Sequence, residues 1–178
     1  MGMGFTLHCR KCGYSISGNL GVGFFFPSVY QRTMAAARSG KLGETLKTFL
    51  DDHPDGALNT ENVFLQCTDC GSLEFGQDLS MYIRNSAIPR REQGRWSVAA
   101  PYADEDYVSP MELERENTYE LYGRGNTCKK CGKPMKPISD NDLEEQMNKD
   151  PENRGRTEIG CPVCKELLWV DDNIMMWD

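Results

Sequence analysis

Apolar and polar positions along this chain alternate in short runs that glycine and proline interrupt often, so the elements they predict are brief. GFTLH alternates weakly and predicts a strand entering Cys9, while YSISGNLGVGFFF leaves Cys12 as extended, glycine-rich chain. After Pro27, Ser28 and Gln31 form an S-x-x-Q capping box, which places a helix start there. Val29, Tyr30, Met34 and Ala37 supply its apolar stripe, and Gly40 stops it. Leu42, Leu46, Phe49 and Leu50 repeat helical spacing up to Pro54, with a turn at Asp55-Gly56. VFLQ then reads as a strand into Cys67, and SLEF leaves Cys70 toward a further strand, LSMYI. A helical hairpin, about 28–53, is thus inserted between two cysteine turns.

Residues 84–108 carry no regular period and read as a long loop or linker. Arginines there lie near Trp96 and two prolines, ahead of the acidic run ADED. Ser109-Pro110-Met111-Glu112 is a helix start, with proline at the first helical position and glutamate three residues beyond the cap. TYELYG resumes as a strand toward Cys128, and PMKPI follows Cys131. Ser139 to Lys149 predicts a helix with Leu143 and Met147 on its apolar side. TEIG enters Cys161, ELLWV leaves Cys164, and the chain ends DDNIMMWD.

Composition sharpens this picture. The 178 residues suit one generous domain or two small ones, and 39% hydrophobic content provides only a modest core. No run reaches the ~20 apolar residues of a membrane span, and the first residues lack the apolar region of a secretory signal. Gly2 and Thr6 match the loose N-myristoylation pattern, although Phe5 and Leu7 read more simply as strand. The expectation is a cytoplasmic protein without a membrane partner. Its formal charge is −7, which disfavours nucleic acid as a bulk partner.

All eight cysteines fall in CxxC pairs: Cys9 and Cys12, Cys67 and Cys70, Cys128 and Cys131, Cys161 and Cys164. The intervals between pairs are 54, 57 and 29 residues. In a reducing compartment such a pattern points to metal or catalysis rather than disulfides. Two cysteines separated by two residues put both sulfurs on one side of a tight turn, and a zinc ion needs four such ligands at about 2.3 Å. Gly13, Gly71 and Gly132 follow three of the pairs, where the backbone must turn left-handed, while Lys165 follows the fourth. Combining the pairs in sequential order gives one four-cysteine site in each half; combination across the halves stays open. Two ions held by deprotonated cysteines would take the net charge to roughly −11.

With their strand flanks, CRKCGY, CTDCGS, CKKCGK and CPVCKE resemble the knuckles of the zinc-ribbon superfamily, where two CxxC turns capping β-hairpins hold one structural zinc. In overall layout the chain is similar to uncharacterised bacterial proteins of that kind, and no activity follows from the likeness. The 54-residue first interval exceeds the usual ribbon spacing, and the helical insert accounts for it. The resemblance implies small antiparallel β zinc-ribbon modules, and with the inserted helical hairpin and short peripheral helices read above the expected fold is α+β. The expected division is a first module over 1–83, an arginine-rich then acidic linker with a short helix over 84–117, and a second module over 118–178. Two zinc ions are expected, with all eight cysteines as ligands.

Several rival readings stand beside this one. CRKCGY and CPVCK also resemble the turns of rubredoxin, which hold iron for electron transfer, but here they lie far apart in sequence. CPVCK resembles a redox dithiol, yet the strand-like LLWV follows it where a helix start would be needed to lower the thiol pKa. A four-cysteine site that releases zinc on oxidation is a further possibility. Arg84, Arg90, Arg91 and Arg95 with Tyr82 and Trp96, and the lysines Lys129, Lys130, Lys133 and Lys136, could grip nucleic acid. The same lysines could instead soften the field of an anionic metal site. His8 adjoins Cys9 and could contact or replace a ligand, and DDHPD around His53 could hold a hard cation or simply be a solvated helix end. GNLGVG has the wrong spacing for a dinucleotide loop, and a site with four cysteine ligands keeps no open position for catalytic water. The expected function is non-enzymatic: an interaction adaptor or accessory subunit for a protein partner, with FFFPSVY at 24–30 and IMMW at 174–177 as spare apolar surface or core closure.

Overall fold

The computed structural model describes residues 2–23, 25–88, 107–149, 152–171 and 175–177. Strands β1 (Gly2–His8) and β2 (Ser15–Leu20) come first, then helices α1 (Phe26–Arg38) and α2 (Glu44–Asp52). Next are β3 (Ala57–Leu58), β4 (Asn62–Cys67), β5 (Leu73–Gln77), β6 (Ser80–Arg84), α3 (Pro110–Leu113) and β7 (Tyr119–Arg124). The chain continues with β8 (Met135–Ile138), α4 (Asp140–Lys149), β9 (Arg156–Gly160), β10 (Leu167–Val170) and β11 (Met175–Trp177). The fold is α+β, with small antiparallel sheets and a few short helices. No helix among the described residues is long and apolar enough to cross a membrane.

Local chemistry explains most boundaries. Helix α1 starts two residues before the expected cap: Pro27, which needs no amide partner, sits in the first turn, and Ser28 falls inside the helix. Tyr30, Met34 and Ala37 are buried as the stripe requires, and Gly40 follows the end at φ +76. Helix α2 begins only at Glu44, so Leu42 stands outside it and is exposed, while Leu46, Phe49 and Leu50 are buried. Ser109 caps α3 by accepting the Glu112 amide. At α4, Ser139 Oγ accepts the Asp142 amide while the Asp142 carboxylate accepts from the Ser139 amide, a reciprocal box that sets Leu143 and Met147 on the buried side.

The chain forms two compact units, and they cut across the linear division into 1–83, 84–117 and 118–178. One unit comprises 1–24, 61–78 and 126–178; the other comprises 25–60 and 79–125. The first contains all four CxxC turns. Its larger sheet has the order β11-β1-β10-β9 with β2 also on β1, and its smaller sheet is β5-β4-β8. Alternate residues of β1 and β10 (Phe5, Leu7, Leu168 and Val170) enter a core with Leu20, Phe64, Ile138, Leu143 and Ile159. The second unit holds α1, α2, α3 and the sheet β3-β6-β7, with Leu46, Leu58, Met81 and Leu113 buried.

Of the two segments with spare apolar residues, FFFPSVY and IMMW, Phe24 and Ile174 lie outside the described residues. Phe26 and Tyr30 are buried, leaving Phe25 half exposed, and Met175–Trp177 pairs as β11 with β1. Most of the expected linker, residues 89–106, lies outside the described residues.

Candidate metal centres

Each CxxC pair folds into the same turn. The amide of the residue after the second cysteine donates to the carbonyl of the first: Gly13 to Cys9 at 3.0 Å, Gly71 to Cys67 at 3.1 Å, Gly132 to Cys128 at 2.7 Å and Lys165 to Cys161 at 3.0 Å. In return, the amides of Cys9, Cys67, Cys128 and Cys161 donate to the carbonyls of Tyr14, Ser72, Lys133 and Glu166. The shared backbone is left-handed after the second cysteine, with φ of +74, +71, +71 and +66. Glycine adopts this without strain, whereas Lys165 carries a steric cost of about 1–2 kcal/mol.

The turns combine in a nested order, which corrects the sequential expectation. Cys9 and Cys12 meet Cys161 and Cys164, while Cys67 and Cys70 meet Cys128 and Cys131. Strand pairing is the reason. In the outer set, β1 pairs with β10 through Leu7 opposite Val170 and His8 opposite Trp169. In the inner set, β4 pairs with β8, with Cys67 opposite Met135. Each turn caps a strand, so whichever strands share a ladder bring their turns together.

Within each set all four sulfurs lie within 4.8 Å of one another. The closest separations are 3.5 Å for Cys9 with Cys164, 3.6 Å for Cys12 with Cys161, 3.4 Å for Cys67 with Cys131 and 3.7 Å for Cys70 with Cys128. A disulfide requires about 2 Å. Four sulfurs about 2.3 Å from a central ion stand about 3.8 Å apart, so both sets fit a tetrahedral metal. The first cysteine of every pair is buried, Cys12 and Cys131 are exposed, and Cys70 and Cys164 are half-buried. Each set therefore has one side in the core and one side open to solvent.

The thiols of a set are tuned apart. The Ser72 side chain and amide hold Cys70 down at about 6, and the amides of Cys12 and Lys11 hold Cys9 at about 7. The amides of Tyr14 and Lys133 favour ionisation of Cys12 and Cys131, but desolvation and the adjacent sulfurs outweigh them and push both up to about 12. Several negative charges cannot crowd into this volume unaided, and a dication removes that penalty.

The remaining expected site residues are placed as follows. His8 faces Asp171 at 3.5 Å and belongs to neither sulfur set. His53 packs against the rings of Phe49 and Tyr122, and the two four-cysteine sets are the metal-ligating groups found among the described residues, without DDHPD. Lys129 pairs with Glu74 at 2.9 Å, and Arg84 donates to the Ile88 carbonyl; Arg90, Arg91, Arg95 and Trp96 lie outside the described residues. Two contacts have no expectation behind them. The Arg10 guanidinium sits 3.4 Å above the Trp169 ring, and Lys165 Nζ donates to the Cys70 carbonyl at 3.0 Å. A lysine in the place of glycine was the visible signal for the second.

Comparison of the chain with known protein families, curated proteins and solved structures yields no match.

Proposed function

We propose that this chain is a non-enzymatic protein with two structural zinc centres, serving as an interaction adaptor or accessory subunit. The observation that carries the metal reading is that the first cysteine of every turn is also a core residue. Cys9 and Cys161 belong to the cluster of Phe5, Leu7 and Leu168, and Cys67 and Cys128 pack with Val63, Leu65 and Met135. An ion held there ties strands distant in sequence, so its binding free energy becomes folding free energy. Four cysteine ligands complete a tetrahedral shell and keep no position for substrate or water, which supports a structural role. The net charge of −7 supports a protein partner over nucleic acid.

Metal analysis by inductively coupled plasma mass spectrometry, on untagged protein purified without added metal, tests this together with absorbance at 260 and 280 nm. Two zinc ions per chain without nucleic acid, and unfolding on chelation, are expected. Iron with a visible chromophore would turn the reading to electron transfer, and co-purified nucleic acid would turn it to the arginine-rich segment. A native circular-dichroism spectrum in protein free of metal would end the structural role.

A further inference from the structure

We propose that the two centres load as a coupled pair and that Lys165 is the positioning residue that couples them; this rests on the metal-binding reading above. Lys165 takes part in both. Its backbone amide closes the CPVCK turn of the outer centre on the Cys161 carbonyl, and its Nζ donates to the Cys70 carbonyl in the CTDCG turn of the inner centre. Nζ also lies 3.3 Å from the position a Cβ on Gly71 would take, so the ammonium rests on bare glycine backbone. A glycine at 165 would satisfy the φ of +66 without strain, as in the three sister turns, but it would have nothing to reach across with.

Two further features join the centres. Gln66, directly before Cys67, directs Nε2 to the carbonyl of Gly160, directly before Cys161, at a long 3.5 Å. Phe64 of β4 and Leu73 of β5, the strands flanking the inner CTDCG turn, lie in the same apolar cluster as Cys9 and Cys161.

Two effects of opposite sign decide how one ion influences the other. Each filled centre carries a net charge of about −2, so the pair repel. Against this, filling the outer centre orders the CPVCK turn and with it the Lys165 side chain. That ammonium then holds the Cys70 carbonyl, in the turn whose Cys70 amide points at the Cys67 sulfur 3.5 Å away. Part of the ordering that the inner centre requires is complete before its ion arrives. The ammonium is also a positive charge at the inner turn and offsets part of the repulsion. The balance favours positive coupling.

Native mass spectrometry during zinc titration of the chelator-stripped full chain reads this out as the populations with zero, one and two ions. With each ion raising the affinity for the other about tenfold, the one-ion species should peak at about a quarter of the chains, against about half for two equal independent sites. Lys165→Gly removes the side chain and relaxes the backbone; Lys165→Met keeps the length and backbone but has no donor. Both should bring the coupling to within about twofold of none and let the one-ion species accumulate. Two ions bound with an abundant one-ion species in the unaltered chain would overturn the coupling alone, as would variants that keep it scarce. A folded chain that takes up no zinc would overturn the metal-binding reading and the coupling with it.

Discussion

Cys12 and Cys161 are 149 positions apart in the chain, yet their sulfurs lie 3.6 Å from each other. The inner set, Cys67 and Cys70 with Cys128 and Cys131, lies entirely within the chain segment that this contact closes.

Nested pairing makes a stoichiometric prediction. In excess zinc, the double variant Cys12→Ser/Cys161→Ser should lose one ion, because both cysteines serve one centre. Cys12→Ser/Cys67→Ser should lose two. Metal analysis on both proteins decides it, and sequential pairing predicts the reverse for both: two ions lost from the first variant and one from the second.

Metal affinity should fall as pH falls. Thiols at about 12, Cys12 and Cys131, must release a proton to bind at any ordinary pH, whereas Cys70 at about 6 and Cys9 at about 7 are already ionised at pH 8. Cys9 becomes protonated below about pH 7 and Cys70 below about pH 6, so more protons are displaced per ion and the plot of log affinity against pH should steepen there. Cobalt titrations followed by absorbance between about pH 5 and 8 would show it. A flat plot would mean that thiolates are not the ligands.

Glycines of similar appearance should differ sharply. Gly132 has φ +71 and nothing within 4 Å of a would-be Cβ, so Gly132→Ala should cost only the left-handed strain, about 1–2 kcal/mol. At Gly125 the same methyl would stand 2.5 Å from the Leu79 carbonyl oxygen and 2.7 Å from a Leu46 methyl. Backbone cannot swing aside, so Gly125→Ala should cost about 3 kcal/mol. Thermal unfolding of the zinc-loaded proteins ranks the two, and equal losses would refute the steric argument.

Leu143→Ala should destabilise the chain by about 2–5 kcal/mol, since Leu143 is fully buried and holds α4 on the core around Cys9 and Cys161. Denaturant unfolding at fixed zinc measures it. A loss below about 1 kcal/mol would place α4 outside the cooperative core.

Much of the local structure was legible in the sequence. Apolar spacing located α2 and α4, the Ser109 cap and Pro110 located α3, and glycine after CxxC marked three left-handed turns. Short-range signals succeed because caps, turns and amphipathic faces are decided by neighbouring residues. Where two local signals competed, at Pro27 and the Ser28 box, the rigid proline set the start of α1.

Which turns meet was not legible. All four CxxC hairpins have the same local pattern, and a ladder between strands such as β1 and β10 is chosen by complementary apolar faces far apart in the chain. Sequence by itself therefore determined eight cysteines as candidate ligands, their four turns and the α+β class. Tertiary structure alone decided the nested pairing, the gathering of both centres in one unit and the reach of Lys165 to Cys70. The division follows from physics: turn geometry is a property of a few consecutive residues, whereas sheet register depends on burial summed over the whole core.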